Sequence, residues 1–92
     1  MIKGKTKSGF EFEINENAGD DMELVDAMAD CLGTDQMKQF TGLSKVLTKL
    51  LGDNKKALYD HVRTEDGRVP TKAVEDEVAE MFNAIGDSGK NS

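Results

Sequence analysis

Apolar and polar positions alternate with a period of two at the front of the chain and recur every three or four residues behind it. That spacing alone predicts the elements. Phe10, Phe12 and Ile14 alternate with Glu11 and Glu13, while Lys3, Lys5 and Lys7 alternate with Ile2, Gly4 and Thr6. Joined by Lys7-Ser8-Gly9, these runs predict a β-hairpin over 2–14, with Gly9 at the left-handed position of a three-residue loop. The loop sets Lys5 opposite Glu11, Lys3 opposite Glu13, Ile2 opposite Ile14 and Thr6 opposite Phe10, so one face is charged and the other apolar. A two-residue loop would mix lysines with phenylalanines on one face. A lone hairpin is marginal in water, which predicts that helices cover its apolar side.

Asp20 or Asp21 caps a first helix over about 21–32, with Val25, Met28, Ala29 and Leu32 as its inner stripe, Leu24 at the edge and Gly33 as its stop. Thr34 or Asp35 caps a second helix over about 36–51. On it Phe40, Leu43, Val46, Leu47, Leu50 and Leu51 share one side, opposite Ser44, Lys45, Thr48 and Lys49, and this stripe is expected to centre the core. Gly42 inside it costs about 1 kcal/mol relative to alanine, which predicts a kink or a break there. Gly52 ends it. Asp53 caps a helix over about 54–63 that turns Ala57, Leu58 and Val62 inward, with Lys55 and Lys56 badly placed against its dipole. Thr64 to Pro70 is a turn with Val69 as an anchor. A last helix over about 71–85 carries the stripe Val74, Val78, Met81, Phe82 and Ile85, and ends at Gly86 before a polar, disordered tail over 87–92. The fold class is α+β, mostly α: an N-terminal β-hairpin packed on a bundle of about four short helices, forming one globular domain over 1–86.

Composition narrows the chemistry. Ninety-two residues fit one domain. A formal net charge of −6 argues against binding nucleic acid through its phosphates. No apolar run approaches the ~20 residues that span a bilayer, and Met1-Ile2-Lys3-Gly4-Lys5 is not followed by the apolar segment of a secretory signal. Cys31 has no second cysteine to pair with and reads as a small buried hydrophobe. His61 is the sole histidine, which excludes a multi-histidine metal site; it reads as a partly exposed helix residue. Ser8, Ser44, Ser88 and Ser92 lack a nucleophile-elbow setting, and no glycine-rich phosphate cradle follows a strand. Thr64-Glu65-Asp66-Gly67-Arg68-Val69 imitates half of a calcium loop. With Gly67 at the sixth position, however, Val62 stands where an aspartate is needed and Ala73 where a glutamate is needed. These residues predict no catalytic group, no cofactor and no metal.

Three segments carry a resemblance: Thr6-Lys7-Ser8-Gly9-Phe10-Glu11-Phe12-Glu13-Ile14, Leu50-Leu51-Gly52-Asp53 and Asp66-Gly67-Arg68-Val69-Pro70. With the order of elements, they make the chain resemble the small tail assembly chaperones of long-tailed phages and prophages of low-GC Gram-positive bacteria. The resemblance implies a protein of the bacterial host's cytoplasm that coats the helical tape measure protein before tail-tube subunits polymerise around it. It implies the tape measure protein as partner, with the tail tube protein and a second copy left open, and neither nucleic acid nor membrane. Met22, Met28, Met37, Phe40 and Met81 are the candidate partner-binding surface, since adaptable methionines suit such a holder; core packing is the competing role for each. Two rival functions remain. One is an acidic inhibitor or DNA mimic acting on a host nucleic-acid enzyme through Asp20, Asp21, Glu23, Asp26 and Asp30. The other is a small structural protein of the phage tail or head-completion machinery.

Overall fold

The computed structural model describes residues 1–90 of the chain, and side chains for residues 1–86. Its order is β1 (Ile2–Lys5), β2 (Glu11–Ile14), α1 (Met22–Leu32), α2 (Gln36–Leu51), α3 (Asn54–Val62) and α4 (Thr71–Lys90), an α+β arrangement that is mostly α. The hairpin has the expected register, with Ile2 opposite Ile14, Lys3 opposite Glu13 and Lys5 opposite Glu11. Gly9 sits at φ 97°, and the Thr6 and Gly9 amides close the loop onto the Phe10 and Thr6 carbonyls at 2.9 Å each. Phe10, Phe12, Ile14 and Thr6 form the buried face. Gly4 lies directly under the Phe12 ring, where a β-carbon would come within 2.6 Å of it.

Side-chain caps start the first two helices. Asp21 accepts from the Glu23 amide at 2.9 Å, and Asp35 accepts from the Met37 and Lys38 amides at 3.0 and 3.3 Å. The core gathers around Ile14, Val46, Leu47, Leu58 and Met81, joined by Leu24, Ala27, Leu50, Leu51, Val74 and Val78. Each of the larger aliphatic side chains contributes roughly 1.5–3 kcal/mol by leaving water.

Several expectations are corrected. α2 runs unbroken through Gly42. A β-carbon there would lie 2.7 Å from the Ala27 carbonyl oxygen, 2.9 Å from Asp30 Cβ and 3.0 Å from the Cys31 amide nitrogen, so the glycine is where α1 and α2 touch backbone to backbone. That contact also fixes the rotation of α1. Leu24 and Ala27 are buried, whereas Ala29 is exposed and Val25 and Leu32, expected inside, are 45 % and 83 % exposed. On α2, Phe40 is 44 % exposed and Leu43 half-buried. On α3 Leu58 is buried and Ala57 is exposed, with Tyr59 and Val62 half-buried. Lys55 lies in the first turn of α3 as expected, and its side chain reaches across to α2. It donates to Ser44 Oγ at 2.7 Å and Thr48 Oγ1 at 3.1 Å, and its Nζ lies 5.7 Å from the centre of the Tyr59 ring. α4 passes through Gly86 to Lys90, because Gly86 does not take the left-handed conformation a glycine stop requires; the expected tail's last residues, 91–92, lie outside the described residues.

Candidate functional site

α1 packs on α2, while α4 is pinned to the hairpin loop, and the two pairs diverge. The pinning is polar: Glu77 accepts from Ser8 Oγ at 2.6 Å and Thr6 Oγ1 at 3.0 Å, and Glu80 accepts from the Lys7 amide at 2.9 Å. Between α1, α2 and α4 this divergence leaves an open groove of about 550 Å³. Leu43 and Val46 of α2 form its floor. Met28, Cys31 and Leu32 form one wall, and Val78, Ala79 and Phe82 the other. Gln39 and Glu75 supply its polar edge. Burial pushes the Cys31 thiol up, and the charges of Asp30 and Glu75 push it further, so the neutral, unreactive form is favoured.

The five expected surface residues divide. Met22 and Met37 are 68 % and 69 % exposed, and Phe40 lies at the surface with them. Met28 is half-buried and lines the groove. Met81 is a correction: it is 0 % exposed, because it lies on the Val74 face of α4 that closes the core, and it cannot meet a partner in the folded protein. Missing from the expected set were Leu32, Leu43, Val78 and Phe82. The signal for them was present, since each belongs to a stripe assigned wholly to the core.

A second cluster was not visible from the sequence. Ser8 Oγ stands 3.0 Å from His61 Nε2, and the same ring nitrogen is 3.2 Å from the Ser8 carbonyl oxygen. A carbonyl only accepts, so Nε2 carries the hydrogen and donates to Ser8. The Ser8 proton is directed to the Glu77 carboxylate. In a nucleophilic triad the imidazole stands between serine and acid and takes the serine's proton. Here the serine stands between the other two, and the arrangement ties the hairpin loop to α3 and α4. Among the described residues no group of three or more His, Cys, Asp or Glu side chains is placed to hold a metal, and no helix is long and apolar enough to cross a membrane. Comparisons with protein-family models, curated proteins and solved structures find no match for this chain.

Proposed function

We propose that the protein is a non-catalytic holder of amphipathic helices, acting as a phage tail assembly chaperone that binds the tape measure protein before the tail tube forms around it. One observation carries the proposal: an apolar groove between α1, α2 and α4 stays open to solvent and continues onto the exposed Leu32. Grooves of this kind take up the apolar face of a partner helix through anchors at helical spacing. Methionine adapts its shape to different anchors, and Met28 in the wall supplies that adaptability. The acidic residues favour a DNA mimic less, because Lys49 engages both Asp21 and Glu23 and interrupts the charged stripe.

Co-expression with the longest coiled-coil-rich product encoded nearby tests the proposal. The expected result is a soluble complex that survives high salt, as apolar contact does and exposed ion pairing does not. A long partner that stays insoluble and unbound overturns it.

A further inference from the structure

We infer that the guest helix is cationic along its edges: an amphipathic helix whose apolar stripe is flanked by lysine or arginine. The inference rests on the proposed holding function and specifies the partner's chemistry. Met22, Val25, Ala29 and Leu32 follow one another at steps of three, four and three, so they share one face of α1. All four are exposed, and Leu32 is also part of the groove wall, so this face extends the groove as an apolar shoulder.

The borders of that surface are acidic. α1 contains Glu23, Asp26 and Asp30 and neither lysine nor arginine. Asp26 adjoins the stripe on the side away from the groove, and Glu75 stands at the groove's far edge on α4. Among the described residues, none of Asp26, Asp30 and Glu75 forms an ion pair. Of the two α2 lysines that line a common cavity with Asp26 and Asp30, Lys49 is already held by Asp21 at 3.3 Å and Glu23 at 2.8 Å, and Lys45 pairs with neither aspartate. Lys72, the cation one turn before Glu75, is held by Asp76 at 2.9 Å, so a neutral or acidic guest would draw these carboxylates out of water with no ion-paired counter-charge, which is unfavourable. Basic flanks supply that counter-charge and align the guest in the groove.

A second copy of the chain fits this face poorly. Antiparallel pairing of two stripes brings Met22 to Leu32 and Val25 to Ala29 of the copy, and the same register sets Asp26 close to Asp26. Two chains of net charge −6 also repel on approach.

The test is fluorescence anisotropy on the intact protein with two synthetic helical peptides that share one leucine-alanine face, one flanked by lysines and the other by glutamates. The lysine-flanked peptide is expected to bind about tenfold more tightly at low salt, as two or three edge pairs provide. That preference should fade toward about 1 M salt, where the Debye length is near 3 Å. Asp26→Asn combined with Glu75→Gln should erase the preference, and Leu32→Glu should abolish binding of both peptides. Equal binding of the two peptides overturns the charged-edge inference and leaves the holding function standing. Failure of both peptides also overturns it, and the holding function falls with it only if the tape measure protein fails to co-purify. A dimer in sedimentation that Val25→Glu converts to monomer overturns it in favour of a second copy as occupant.

Discussion

Glu77 shows how much one side chain can organise. It is buried, yet both neighbouring hydroxyls, Thr6 and Ser8, donate to one of its carboxylate oxygens, so the price of hiding an acid is met by hydrogen bonds from the hairpin. Glu77→Ala leaves those hydroxyls without their acceptor and is expected to cost about 1–3 kcal/mol in urea unfolding. Glu77→Gln, which keeps an acceptor oxygen, should lose clearly less. Equal losses in the two variants would mean that packing, and not the hydrogen bonds, fixes the loop. Gly42 acts by what it lacks. Gly42→Ala improves helix propensity by about 1 kcal/mol, but the new methyl meets Ala27 and Cys31 backbone atoms that cannot rotate aside. The expected outcome in the same assay is net destabilisation of about 1–3 kcal/mol; a stabilised variant would refute the backbone-to-backbone contact.

At the level of elements, Lys49 joins α2 to the cap of α1. Its hydrogen bond holds Asp21 below the usual carboxylate range, and Lys49 itself is raised, by Glu23 first and then Asp21. A depressed Asp21 stabilises the fold above its unfolded value near pH 4 and loses that contribution as pH falls through the folded value. A raised Lys49 contributes below its unfolded value near pH 10 and loses it as pH rises further. The stability difference between the native protein and Lys49→Gln should therefore form a plateau through neutral pH and shrink at both extremes. A difference independent of pH would remove the charge argument.

The elements were legible wherever one local rule governed them. Alternation and loop length fix the hairpin register, and aspartates at the caps fix the starts of α1 and α2. The rotation of α1 was not legible, because Leu24, Val25, Met28, Ala29 and Leu32 make an apolar arc too wide to reveal which part faces inward. Only the contact at Gly42, set by a different helix, decides it. The Glu77 cluster was illegible for a related reason: its partners are 71 and 69 residues away along the chain. The groove was half legible, as a surplus of apolar stripes whose uncovered portion the sequence alone does not locate.

That surplus belongs to the whole molecule. The chain extends 43 × 31 × 20 Å, so its thinnest dimension holds about two helix diameters. Two layers cover one face of each element, and an element with a wider apolar arc must leave part of it outside. α1 and the groove side of α4 are where this happens. Core and proposed partner surface are thus drawn from the same residue types, and separating them takes a paired experiment. Leu32→Glu changes a side chain that is 83 % exposed, so stability should move by no more than about 0.5 kcal/mol while the proposed capture of the tape measure protein is lost. Met81→Ala empties a core position and should cost about 2–5 kcal/mol, yet keep capture at temperatures where the variant remains folded. Thermal unfolding and co-purification read the two effects independently. If Met81→Ala loses capture while folded and Leu32→Glu retains it, the guest does not bind along α1, and the groove is not the site.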